Sequence, residues 1–372
     1  MKFIINRDEF LKGITNAGRI AIAKIDPILQ YLKLDLFENR LEITGSNGTL
    51  AISTKIPAVK NDKEIIREIV PGSTLINARL ISEIVKRLEG QEVTFEILDD
   101  TMAKIESENS SFKLSSIRAD EYREIDLSLD GIKVTMNVND FIEAVNQVGF
   151  CASEKSSRPT LTAVNVECNS SSLIFVATDG ARLGKKEIKI DNDNLFNVNI
   201  PAKSLFEAVK TITNEKDINL YVGDKKVAFE FNDTIMTTTL IGGDYPNVKN
   251  IIPRTFYYYL EVNAAEFLKA IDMGAITSGE RENVVKLIMD ERKVTVTSKS
   301  QQNGSSDIKL DLFKYTGERL EMSFNCDYVS NAIRALKSQD VLISFVGEMK
   351  PFTVTNRNDD SVIQLITPVR TY

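Results

Sequence analysis

A short amphipathic pattern recurs six times along the 372 residues, and a chain written this way must bury the same small unit repeatedly. The copies are Phe10-Leu11-Lys12-Gly13-Ile14, Leu80-Ile81-Ser82-Glu83-Ile84 and Phe141-Ile142-Glu143-Ala144-Val145, then Leu205-Phe206-Glu207-Ala208-Val209, Phe267-Leu268-Lys269-Ala270-Ile271 and Val329-Ser330-Asn331-Ala332-Ile333. Their first residues lie 70, 61, 64, 62 and 62 positions apart. Apolar residues at i, i+1, i+4 and often i+8 predict a helix at each copy, over about residues 8–19, 78–88, 139–150, 202–212, 263–273 and 327–337. Asn139 or Asp140 is placed to cap the third helix, Asn263 the fifth, and Asn325 or Asp327 the sixth. Pro201 leads into the fourth, where its missing N–H matters least.

Between the helices the period falls to two. Lys33–Phe37 turns through Glu38-Asn39-Arg40 into Leu41–Thr44, and 225–231 and 293–297 alternate in the same way. Phe256-Tyr257-Tyr258-Tyr259-Leu260 reads as a strand with aromatics on both faces rather than as a base-stacking platform. A longer period lies above the short one: Asp120–Ile125 resembles Gly243–Val248, with Tyr122 and Tyr245 separated by 123 residues. Alternate helix anchors differ by 131, 125, 126 and 124. The expectation is an α+β chain of three similar domains, 1–125, 126–251 and 252–372, each of two β-α-β-β-β units, joined near 126–131 and 249–254.

Composition removes much of enzymology. The chain has no His and no Trp, so triads and Cys–His pairs are out, and its three cysteines cannot make a four-thiolate zinc site. Cys151, Cys168 and Cys326 are odd in number and widely spaced, which points to a reducing, cytoplasmic setting with no cofactor. No apolar run approaches the length of a membrane span, and MKFIINRDEF carries charge too early for a signal peptide. Gly242-Gly243-Asp244 lacks the GxxxxGK[ST] of a phosphate loop. Net charge is −7, against bulk attraction to nucleic acid. The six predicted helices together carry +1, however, leaving −8 for the rest. The sign suits a DNA-facing helix layer, and ordinary solvated helix faces would give it too.

Six equal units can close into a ring. With helices lining the bore about 9 Å apart, one chain would leave a hole of only ~7 Å. Two chains head to tail would leave ~24 Å, enough for a duplex about 20 Å across.

Several motifs together make the sequence similar to the bacterial β sliding clamps, the processivity subunits of replicative DNA polymerase. They are Met1-Lys2-Phe3, Pro27-Ile28-Leu29, Arg158-Pro159-Thr160-Leu161, Ala177-Thr178-Asp179-Gly180-x-Arg182-Leu183, Asp244-Tyr245-Pro246 and Thr367-Pro368-Val369-Arg370, and they cover the whole chain. The resemblance implies a non-catalytic homodimeric ring around double-stranded DNA, half built by each chain with helices lining the hole. It would tether polymerase, clamp loader and repair proteins through short peptides.

The resemblance also implies sites. The peptide pocket would use Leu161, Thr178, Gly180, Arg182, Leu183, Pro246, Ile251, Leu365, Pro368, Val369 and Arg370, with an apolar socket for a Leu or Phe anchor and two arginines as donors. Ala181 and Asn250 depart from the family, whose members often carry larger or basic groups there. Taken alone, Thr178-Asp179-Gly180 is also an ordinary hairpin turn. DNA phosphates would meet Lys24, Arg79, Lys155, Arg158, Lys203, Arg334 and Lys337 without regard to sequence. Phe112 and Leu114 on an edge strand would meet Ile276 of the other chain, although core alternation accounts for them equally well. The competing classes are an enzyme using Asp179 with Asp244 as an acid/base pair, and a repeat-built scaffold without DNA.

Overall fold

Helix starts are set by strand ends. The structure, a computed structural model, describes residues 1–22, 26–99, 101–279 and 283–370. Among them lie six α-helices, one per copy of the repeat: α1 (Arg7–Gly18), α2 (Ala78–Arg87), α3 (Val138–Val148), α4 (Ala202–Thr211), α5 (Ala264–Thr277) and α6 (Cys326–Leu336). Each follows a strand with no loop between, and five of those strands end in Asn and the other in Pro201. Asn6, Asn77, Asn263 and Asn325 accept hydrogen bonds from amides of the first helical turn, satisfying donors that have no partner inside the helix.

One expected cap shifts and another is settled between its two candidates. The third helix begins at Val138, because Asn137 ends its strand where the other caps sit, so Asn139 and Asp140 fall within its first turn. In α6 the cap is Asn325, one of the two expected candidates; Asp327 is the second helical residue, in the first turn near the positive end of the helix. The second copy is rotated. Ile81, Val85 and Leu88 are buried while the expected anchor Leu80 is 51% exposed, since a 3.6-residue period lets only one of two adjacent apolar residues face inward. The aromatic run is a strand only from Tyr258 (Tyr258–Asn263), and Tyr257 stays outside it, exposed.

By mutual contact the described chain forms two compact units, residues 1–138 with 207–240, and 139–206 with 241–372. The first contains a 13-stranded sheet, the second a nine-stranded and a four-stranded sheet, and every strand pairing is antiparallel. The reason for two units rather than three lies in the pairing. Leu50–Pro57 pairs with Thr234–Thr239, with Ala51 opposite Thr237, so a strand of the expected first domain continues into one of the second. Arg182–Lys189 pairs with Asp359–Ile366, with Leu183 opposite Leu365, and does the same between the second and third.

Within the first unit, α1 and α2 cover a core in which the Phe3 ring stacks on Phe95 at 5.1 Å and meets Phe10 edge-on at 5.8 Å. In the second, α5 and α6 cover Phe267, Phe324, Phe345 and Phe352. Gly45 allows close packing of helix on sheet, as a Cβ there would lie 2.2 Å from the Ala17 carbonyl oxygen at the end of α1. Gly45→Ala is therefore expected to cost about 2–3 kcal/mol. Asn263→Ala should cost about 1 kcal/mol through the lost cap. Both read out as lowered midpoints in urea unfolding, and an unchanged midpoint for Gly45→Ala would mean the helix can withdraw freely.

Candidate functional site

A tight turn organises the site. The strands Ser172–Thr178 and Arg182–Lys189 are joined through Asp179-Gly180-Ala181. One Asp179 oxygen accepts from the amides of Ala181 and Arg182 at 2.9 and 3.0 Å, and the other from Arg182 Nε at 3.0 Å. Thr178 Oγ1 accepts from the Gly180 amide at 3.0 Å and donates to the Arg182 carbonyl at 2.6 Å. Glycine is required at position 180 by its φ of +95°, a left-handed value costly for other residues. The Arg182 guanidinium lies over the rings of Tyr328 at 4.6 Å and Phe150 at 5.4 Å.

Two further segments are tied to this turn. The Thr178 amide donates to Tyr245 Oη at 2.9 Å, fastening the 243–248 stretch against it. The Thr367 amide donates to the Ala181 carbonyl at 2.9 Å, and the Val369 amide to the Ser323 carbonyl at 2.8 Å, so the tail from Pro368 runs past it. Beneath, Cys151 Sγ donates to Gln364 Oε1, and Gln364 Nε2 to the Gln147 carbonyl. Burial pushes the Cys151 thiol up to about 12, and moves the Tyr245 phenol upward as well.

Beside the turn opens a cavity of about 660 Å³. Its apolar wall includes Ile174, Val176, Leu183, Tyr245, Pro246, Val248, Ile252 and Ile363, and its polar rim Glu167, Lys185, Asp244, Lys249 and Arg254. Val176, Leu183, Val248 and Leu365 pack together as its buried floor. The size and the apolar-with-polar-rim character suit one or two side chains of a peptide. Filling it with one Leu or Phe would contribute about 1.5–3 kcal/mol.

The structure brings Leu183 and Pro246 to the cavity, Leu365 into the cluster packed behind Leu183, and Thr178, Gly180, Arg182 and Pro368 to the adjoining turn. Leu161 is half-buried in a 3-10 turn (Pro159–Thr162) whose Thr160 lies against Gly243. Ile251 and Arg370 are exposed, and Val369 is partly buried. Sequence reasoning missed Ile174, Val176, Tyr245, Val248, Ile252 and Ile363. A signal for two of them was present: Leu173-Ile174-Phe175-Val176 is apolar on both faces, and only Leu173 and Phe175 point to the deep core. Asp179 is engaged by the turn on both oxygens, which leaves it poorly placed as a general base.

Of the residues expected at DNA, Arg79, Lys155, Arg158, Lys203, Arg334 and Lys337 are exposed. Arg334 is within 3.6 Å of Asp272 on α5. Lys24 lies outside the described residues. Of those expected between chains, Phe112 is 39% exposed, Leu114 half-buried, and Ile276 on α5 is 75% exposed. The strand of Phe112 and Leu114, Ser110–Ile117, pairs with Met102–Ser107 over residues 110–115 and with Leu75 and Ile76 through Ile117 and Ser116, so residues 110–115 have one open side among the described residues. Met273, one turn before Ile276, is also exposed, and among the described residues Gly304–Lys309 pairs on one side only. Among the described residues no helix is long and apolar enough to cross a membrane, and no group of three or more acidic or Cys side chains could hold a metal.

Family models of the DNA polymerase III beta subunit match residues 1–126 (N-terminal domain), 135–247 (central domain) and 249–370 (C-terminal domain). The chain is 32% identical to the beta sliding clamp of Bacillus subtilis and 30% identical to that of Staphylococcus aureus, covering all of both proteins in each case. The crystal structure of the Bacillus subtilis DNA polymerase sliding clamp superposes with a TM-score of 0.94 over the whole of both chains. That of a Streptococcus pneumoniae DNA polymerase III beta chain, 27% identical, also gives 0.94 over the whole of both.

Burial raises all three thiols, with Cys326 also pushed up to about 12. At pH 8 a thiol of that pKa is thiolate in roughly one molecule in 10⁴. The folded chain is expected to resist iodoacetamide at pH 8 and to be alkylated at all three cysteines in guanidinium. Prompt labelling of folded Cys151 would show that the layer beneath the turn opens.

Proposed function

The chain belongs to the DNA polymerase III beta subunit family, the beta sliding clamps, and has their three-domain fold, and on that footing we propose that it works as a ring. In this reading two chains associate head to tail, encircle duplex DNA in the cytoplasm and hold the replicative polymerase, the clamp loader and repair proteins by short peptides. The domains are 1–125, 126–251 and 252–372. Tethering requires no bond-making residue: a closed ring cannot leave the duplex sideways, and weak phosphate contacts let it slide where tight ones would stall it. The full-length match to the family is the observation that carries the proposal.

The anchor of a partner peptide would enter beside Leu183, Pro246 and Leu365. Thr178, Gly180 and Arg182 hold the wall in shape, and Leu161, Ile251, Pro368, Val369 and Arg370 extend it. Arg79, Lys155, Arg158, Lys203, Arg334 and Lys337, with Lys24, would face phosphates. For the ring joint, the support is an open strand side carrying Phe112 and Leu114 and a helix displaying Met273 and Ile276. Apolar surface of this kind favours pairing with another copy over exposure to water.

Loaded by a clamp loader onto nicked circular DNA, the protein should stay bound at high salt and be lost once the circle is linearised. Equal loss from both would leave a groove binder rather than a ring. Arg182→Ala is expected to lower polymerase stimulation tenfold or more through loss of the turn's stacking, with dimer mass unchanged. Phe112→Asp with Ile276→Asp should move the light-scattering mass from dimer to monomer, because each places an unpaired charge in an apolar contact.

A further inference from the structure

The first unit contains the same turn in another part of the sequence. The strands Arg40–Ser46 and Leu50–Pro57 are joined through Asn47-Gly48-Thr49. Asn47 Oδ1 accepts from the amides of Thr49 and Leu50 at 3.1 and 2.9 Å, as Asp179 does from Ala181 and Arg182. Ser46 Oγ accepts from the Gly48 amide at 3.0 Å and donates to the Leu50 carbonyl at 3.1 Å, as Thr178 does with Gly180 and Arg182. Gly48 has a φ of +94°, Gly180 one of +95°. Tyr122 is buried near the Ser46 backbone, the counterpart of Tyr245 against Thr178.

A cavity lies beside this turn too, of about 880 Å³. Strand register accounts for the difference in size. Ala51 opposite Thr237 occupies the place that Leu183 opposite Leu365 holds beside the other cavity, where Leu183 lines the space and Leu365 packs against it, and both small residues line the larger space. The rims differ in sign as well. Arg123 is paired with Asp26 at 3.2 Å and Lys226 with Asp126 at 2.6 Å, so exposed Glu124, Asp130 and Asp224 remain against Lys225 alone. Around the smaller cavity Lys249 is paired with Glu167 at 3.1 Å and Lys185 with Glu187 at 3.3 Å, so Arg254 and Asp244 remain, one charge of each sign.

We propose that this cavity is a second peptide-docking site, which takes a large aromatic anchor flanked by lysine or arginine in a partner protein. The internal repeat supplies the same frame twice, and the side chains hung on it set different preferences, wide and acidic here, narrower and balanced in charge beside Leu183. The two sites therefore need not compete, and one chain can hold two partners of different sequence.

The test uses fluorescein-labelled acetyl-Lys-Lys-Phe-Phe-Lys-amide and its counterpart with Asp for each Lys, titrated by anisotropy against the full chain. The lysine probe should bind with a dissociation constant in the range of roughly 10–100 µM and the aspartate probe at least tenfold more weakly. Glu124→Lys with Asp224→Lys should weaken the lysine probe roughly tenfold. Ala51→Leu with Thr237→Leu should abolish its binding by filling the cavity; if that pair fails to fold by circular dichroism, the exposed charge pair decides alone. Lys249→Glu with Arg254→Glu, on the other rim, should leave the lysine probe's affinity where it was. The proposal is overturned if the lysine probe does not bind by about 1 mM, if the Glu124 and Asp224 changes leave it unaffected, or if its affinity follows the Lys249 and Arg254 changes instead.

Discussion

Antiparallel pairing that continues across domain joints is the constraint on which the other features rest. Two such pairings exist, Leu50–Pro57 with Thr234–Thr239 and Arg182–Lys189 with Asp359–Ile366, and each turns what would be two sheets into one. Backbone hydrogen bonds in a ladder fix register, so the residues facing each other across the joint are fixed as well. At the second joint Lys186, nearly buried, reinforces the ladder by donating to Ser361 Oγ at 2.6 Å and pairing with Asp359 at 3.2 Å. A buried lysine without such partners would be strongly unfavourable, which ties the ladder's register to this contact.

Beside each ladder stands a turn closed by its own side chains, and the cavity is what remains between that turn and the chain arriving from the next domain. The turn residues are short and polar because their work is local. Asp179 or Asn47 satisfies two amides, and the Thr178 or Ser46 hydroxyl accepts from one amide and donates a hydrogen bond to a carbonyl. Such a turn is closed by its own hydrogen bonds without depending on a deep core, which suits the proposed role as the wall of a docking site. Around the second turn, Arg182 spends its charge on Asp179 and its flat face on Tyr328 and Phe150. It holds the wall from behind and does not stand in the cavity.

Charge is spread to a similar end. The proposed DNA-facing residues that the structure describes are exposed lysines and arginines, and Arg334 has Asp272 close by. Exposed pairs of this type contribute little to stability. Their value to a sliding protein is a shallow, uniform attraction. The exposed apolar side chains include Phe112 on an open strand side and Met273 with Ile276 on α5.

The sequence by itself determined the repeating elements. Six helices, their approximate limits, and the strands between them follow from spacing and capping residues, since these depend on neighbours within about four positions along the chain. It also determined, through Tyr122 and Tyr245 and through the Thr178–Leu183 and Thr367–Arg370 motifs, which stretches matter together. Where a choice depended on side chains far apart in sequence, only tertiary structure decided. Leu80 yields to Ile81 because the sheet beneath α2 accepts one of them. Val176, Val248 and Ile363 became cavity walls because ladders and a tyrosine hydrogen bond brought three distant segments together. That Ala51 and Thr237 leave a wide space where Leu183 and Leu365 leave a narrow one depends on a register spanning 186 residues, a separation no local pattern encodes.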